Sequence, residues 1–301
     1  MEPNLKERIF GLDALRATAI LMVVSSHVLW IYPKSNAFIP TLFELFGFWG
    51  VELFFVLSGF LIGSILYKTF VNENFTLNSV FHFLKRRWFR TLPNYYLVLL
   101  LNILIAFFLG FSIENAGSYF LFLQNFASKS PAFFPESWSL SIEEFTYLLL
   151  PFSLFFVGLV KLKNKTKLFL LVIVALILVF WMNKFYYHSQ HTISNLLEWN
   201  LNLKSVLIYR IDAILMGVLA AWISLNFSEF WKKSKTIFAL IGFGFIFFLM
   251  FGILPLNLTI EKIRFFGMFC ICQLLQSLSH FFSLFSPNGK HTLMQFFILS
   301  N

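Results

Sequence analysis

The ionisable side chains of Arg16 and His27 fall within the first apolar run of this chain. An ionisable residue inside a spanning segment costs roughly 2.5–3.5 kcal/mol on insertion scales, so each requires a compensating role. They stand 11 residues apart. At about 100° per residue this is three helical turns plus about 20°, which puts both on one face, about 16 Å apart along the axis. That face must point into a bundle. Histidine titrates near neutrality and is the natural proton-transfer group. The plainer readings are snorkelling of Arg16 to the inner headgroups and a buried His27 hydrogen-bonded to a neighbouring helix.

Other charges fall into two layers. Glu52, Glu143, Glu144, Arg210 and Asp212 join His27 toward the outer side. The inner layer is Arg16 with the run Lys85-Arg86-Arg87-Trp88-Phe89-Arg90. Arg87 and Arg90 are three apart and neighbours on a helical face, a pairing of guanidiniums that suits phosphate groups. Membrane topology alone would also place basic residues there. Arg210 and Asp212 are equally readable as a local ion pair. Glu143 and Glu144 point about 100° apart on a helix, so only one is expected to face the interior. Cys270 and Cys272 lie two apart in an apolar run without companion ligands, which reads as ordinary packing rather than a disulfide or a metal site.

The elements that carry these residues must be membrane helices. The 301-residue chain is 58% hydrophobic and 12% charged, with mean hydropathy +0.77. A soluble domain carries about 25% charged residues. A spanning helix needs about 20 mostly apolar residues, and that ruler predicts an all-α polytopic transmembrane bundle of eight complete spans, near 12–32, 47–67, 92–111, 138–160, 168–182 (short, with an extension to Tyr187 open), 205–224, 236–255 and 265–285. With the N-terminus in the cytoplasm, the inner segments hold 15 Lys and Arg and the outer ones 6, as the positive-inside rule requires. The net charge of +9 therefore reflects topology, and nucleic acid is not an expected partner. No repeat or linker divides the chain, so 1–301 reads as one integral membrane domain. The stretch 292–301 resembles the start of a ninth span, so the domain is expected to lack its last one or two spans.

Five segments, in order, resemble the acyltransferase-3 family of membrane O-acyltransferases: 11–27, 49–62, 83–96, 137–151 and Arg210-Ile-Asp-Ala-Ile-Leu-Met-Gly217. The resemblance implies an acyl donor entering from the cytoplasm, most often acetyl-CoA, and an acceptor hydroxyl on an extracytoplasmic carbohydrate, either a polysaccharide or a lipid-linked sugar. The family's Arg-x10-His pattern falls on Arg16 and His27, its Arg-x-x-Arg pattern on Arg87 and Arg90, and its Ser-x-x-x-Glu pattern on Ser139 and Glu143. Phe145-Thr146 departs from the Gln-Phe common after the paired glutamates, and leaves Glu143 and Tyr147 in place. Family members have about ten spans.

The expected roles follow. His27 is the central catalytic residue, as general base on the acceptor hydroxyl or as carrier of the acyl group, and Glu143 is a catalytic carboxylate that orients His27 or takes the hydroxyl proton. Arg87 and Arg90 hold the phosphates of acyl-CoA, and Arg16 lies near the inner end of the donor tunnel. Glu52, Ser139, Glu144, Arg210 and Asp212 bind substrate or support the site, and no metal is expected. The connection 112–136 is long and aromatic and reads either as an interfacial segment or as a lid over the acceptor entrance. The competing function is a proton-coupled transporter, because buried His, Glu and Arg also build proton relays.

Overall fold

The computed structural model describes residues 10–31, 38–113, 115–160, 163–191 and 196–231, together with 233, 234, 237 and 244. Every regular element among them is helical: α1 (Phe10–His27), α2 (Phe38–Asn72), α3 (Leu77–Leu109), α4 (Ala116–Phe120), α5 (Trp138–Gly158), α6 (Lys165–Gln190), α7 (Leu196–Trp199) and α8 (Ile211–Asn226), with short 3-10 and π turns between them. Among the described residues, four helices are long and apolar enough to cross a membrane, over Leu42–Asn72, Leu77–Leu109, Pro135–Gly158 and Lys165–Gln190. The seventh and eighth expected spans and the start of the ninth lie outside the described residues.

Most expected boundaries move: the span placed at 12–32 is α1, which ends at His27, and the span placed at 47–67 is α2, which runs from Phe38 to Asn72. The span placed at 92–111 is the second half of α3, which begins at Leu77 and runs 33 residues. Its length is about 50 Å, well beyond the ~30 Å hydrocarbon core. The basic run from Lys85 to Arg90 lies within this helix, as the pairing of Arg87 and Arg90 on one helical face requires. Thr76 and Ser79 form a reciprocal capping box that fixes the start, and Gly110 in the left-handed region (φ 72°) closes the end onto the carbonyls of Ala106 and Phe107. Pro93 lies inside and removes one backbone donor without ending the helix. The span placed at 168–182 is α6, extended to Gln190, which draws Lys184 out of its expected external loop. The span placed at 205–224 does not form as one helix. A π turn over Asn200–Lys204 and a 3-10 turn over Leu207–Tyr209 precede the 16-residue α8.

The chain divides into two compact units, Met1–Ile65 with Met216–Asn301, and Leu66–Leu215. In the first, Leu15 and Ala19 of α1 pack on Leu53, Val56 and Leu57 of α2. The C-terminal part of α8 meets α2 so closely that a Cβ on Gly217 would collide with the Val56 carbonyl oxygen. This is the small-residue contact by which membrane helices approach without a hydrophobic drive between them. In the second, α3, α5 and α6 pack together with the 110–137 connection. Tyr67 and Phe169 meet edge to face at 5.2 Å, and Tyr187 and Tyr209 tilt together at 5.1 Å.

Candidate active site

In the second unit, α3 and α5 set their polar faces against each other. Thr91 donates its hydroxyl to Glu144 Oε1 at 2.8 Å, and the Trp88 side chain reaches the same carboxylate. One turn back on α3, the half-buried Arg87 guanidinium lies 5.7 Å from the Phe83 ring and 5.9 Å from the Tyr147 ring, within cation–π range of both. Tyr147 donates to Glu143 Oε2 at 3.3 Å, and Glu143 stands within electrostatic reach of the same guanidinium. Arg87, Trp88 and Thr91 of one helix thus confront Glu143, Glu144 and Tyr147 of the other.

This corrects the two-layer reading for these residues. The sequence assigned Glu143 and Glu144 to an outer layer and Arg87 to an inner one, because each was measured from the end of its own apolar run. A helix that begins ten residues before Arg87 and a connection that folds back between α3 and α5 bring the groups together instead. Of the paired glutamates, Glu144 is the buried one, 2% exposed, and Glu143 is half-buried. Arg90 shares the face of Arg87 by spacing but is exposed. Ser139 stands half-buried in the first turn of α5.

A second polar cluster lies on α6 and the start of α8. Asp212, fully buried, accepts from Lys184 Nζ at 2.5 Å and from Trp181 Nε1 at 3.1 Å. Lys184 is itself buried. The sequence reading gave Asp212 only Arg210 as a local partner and counted Lys184 among external charges. A lysine one turn beyond the last aliphatic of an apolar run was the available signal. Arg210 is buried and immediately precedes α8.

The long connection re-enters the unit. Tyr95 and Tyr96 of α3 donate to the carbonyls of Tyr119 and Phe120 at 2.8 and 3.0 Å. Tyr119 and Phe122 are buried with Tyr95 and Leu99 in an aromatic cluster, where Tyr95 and Phe122 stack at 4.6 Å. Burial raises the Tyr119 phenol above its ordinary range. Lys204, outside the long apolar helices, holds its ammonium 5.4 Å from the Trp138 ring. Desolvation lowers it to about 7.

In the first unit, α1 carries both Arg16 and His27. Arg16 pairs with Asp13 at 3.1 Å, a partner the sequence reading did not consider, and both are partly exposed. His27 is the last residue of α1 and is exposed, whereas a buried position had been expected. Glu52 on α2 is fully buried. Among the described residues, no three His, Cys, Asp or Glu side chains gather as metal ligands would.

Apolar helices of spanning length thus carry a cluster of charged groups on α3 and α5. The profile of the acyltransferase domain of the acyltransferase-3 family matches residues 9–298, and the chain belongs to that family. It is similar to YrhL of Bacillus subtilis, assigned as a peptidoglycan O-acetyltransferase, with 33% identity over 177 residues, covering 52% of this chain and 25% of that protein. It is also similar to the peptidoglycan O-acetyltransferase OatA of Listeria monocytogenes, with 30% identity over 198 residues, 58% of this chain and 29% of the relative. A third, the O-acetyltransferase OatA of Staphylococcus aureus, is 30% identical over 188 residues, 56% and 28% of the two chains. The chain thus spans between a quarter and a third of the length of these relatives. No solved structure matches it.

Proposed function

We propose that this chain is a multi-pass membrane O-acyltransferase domain that takes an acyl group, most simply acetyl, from cytoplasmic acyl-CoA and transfers it to a hydroxyl of an extracytoplasmic carbohydrate. The observation that carries the reading is the Arg87 guanidinium set between two aromatic faces beside the Glu143 carboxylate. A partly desolvated guanidinium in a fixed orientation is suited to a phosphate oxygen, and the neighbouring rings suit an adenine. The exposed Arg90 supplies a second cation on the same helix, and Arg16 serves the donor path. The peptidoglycan named for the relatives favours a cell-wall glycan or its lipid-linked precursor as acceptor. The excess of Lys and Arg on alternate segments supports a cytoplasmic N-terminus in the cell's inner membrane.

In the transfer, the thioester C–S bond breaks and an ester C–O bond forms. The acceptor proton is removed and coenzyme A leaves as its thiol. We assign His27 to this step, as base for the acceptor hydroxyl or as transient carrier of the acyl group. Glu143 is assigned to proton handling, and Glu52, Ser139, Glu144, Arg210 and Asp212 to supporting the site. His27→Ala in proteoliposomes should abolish transfer of label from acetyl-CoA to glycan while leaving the amount of folded protein in the membrane unchanged. Transfer near the unmodified rate would end the assignment.

A further inference from the structure

We propose that Asn125, with Gln124 beside it, is the positioning residue that sets the first two turns of α5, and with them Ser139, Glu143 and Glu144; the proposal rests on the acyl-transfer reading above. Asn125 is fully buried, yet it belongs to an irregular turn. Its Nδ2 donates to the Trp138 carbonyl at 3.0 Å and to the Ser205 carbonyl at 2.7 Å. A reversed amide would set its oxygen against both carbonyls, so the orientation is fixed by its partners. The main chain repeats the link, since the carbonyls of Asn125 and Phe126 accept from the N–H groups of Leu207 and Ile208 at 2.9 and 3.2 Å.

Gln124 extends the network along α5. Its Nε2 donates to Ser137 Oγ at 3.0 Å and Ser141 Oγ at 2.7 Å. Two adjacent amides therefore join three segments: the re-entrant turn, the start of α5, and the 205–208 strip that leads into Arg210 and Asp212. The Lys204 ammonium over the Trp138 ring ties the same two segments a second time. Phe122, just before the amides, is held in the left-handed region at φ 58°. A bulky residue persists there only where its surroundings over-determine it, and the stacked ring of Tyr95 does so here. Neither amide is ionisable, and both act through α5 rather than on the reacting atoms.

The test uses the whole chain in proteoliposomes with labelled acetyl-CoA and N-acetylglucosamine oligomers. Asn125→Leu keeps the branched heavy-atom shape and removes both donors, and Gln124→Leu removes the second pair. The expected result is a fall of at least tenfold in kcat for transfer with the KM for acetyl-CoA within twofold. Amide hydrogen exchange over 139–143 should quicken at least tenfold in the same variants. Undiminished kcat, or kcat and acetyl-CoA affinity declining together with the folded fraction, would overturn the proposal. If Asn125→Leu does not fold, Gln124→Leu decides alone by the same two readouts. An unmodified chain that transfers no acetyl group would count against the acyl-transfer reading. The exchange measurement would still judge the positioning role, and exchange over 139–143 unchanged by the substitutions would overturn it.

Discussion

Arg87 and Arg90 are chemically identical and share a helical face, but they meet different surroundings. Arg90 is exposed, while Arg87 is half-buried against Phe83 and Tyr147. A contact between a charged donor and a phosphate contributes about 1.5–3 kcal/mol, and more of it is retained where water is excluded. Arg87→Ala should therefore raise the apparent KM for acetyl-CoA about tenfold or more, and Arg90→Ala should raise it less. Lysine at 87 should not restore it, because an ammonium cannot reproduce the planar fork. A steady-state titration with acetyl-CoA measures both effects.

Lys204 gives a pH-dependent prediction of definite sign. Its folded-state value of about 7 lies below the ordinary lysine value of 10.5, so between these limits the unfolded chain binds more protons. Stability from this group rises with pH through that window, and the full cost of burying the charge is present below it. Lys204→Met should raise the melting temperature at pH 6–7, with the gain shrinking as pH approaches 10. Melting curves of the detergent-solubilised protein at three pH values suffice.

Among the elements, the apolar runs located α1, α2, α3, α5 and α6, because a spanning helix must satisfy its backbone internally and leaves an uninterrupted hydrophobic signature. The ends were less legible. Lys184 reads as an external charge by composition, but helical hydrogen bonding continues through it where a tertiary partner is present. Asp212 is such a partner for Lys184. The contact of Thr91 with Glu144 joins residues 53 apart in sequence and has no local signal at all. The aromatic connection was legible as unusual, but not as re-entrant. Its hydrogen bonds run to Tyr95 and Tyr96 in the middle of α3, and of its aromatics Phe120 and Phe126 are exposed while Phe122 is buried. Tyr119 is fully buried, and its hydroxyl donates to the Pro131 carbonyl at 3.3 Å. Tyr119→Ala should then cost about 3–5 kcal/mol of stability, in the range of large-to-small core changes, and lower activity toward all glycans alike. Thermal unfolding of the variant, with transfer compared across two acceptors, checks this. A change confined to acceptor preference would restore the lid reading.

For the whole molecule, low charge content, four helices of spanning length and the family match all describe a membrane protein. A transporter built from the same buried His, Glu and Arg would move its substrate without consuming acyl-CoA, so the two readings part at the fate of the thioester. The most direct measurement seals labelled acetyl-CoA against the face of the proteoliposome that carries the N-terminus, with the glycan acceptor on the opposite face. Transmembrane acyl transfer leaves label in ester linkage on the glycan and releases coenzyme A stoichiometrically on the donor side, with neither when donor and acceptor exchange sides. Glycan crossing the membrane unacylated while acetyl-CoA stays intact would contradict it.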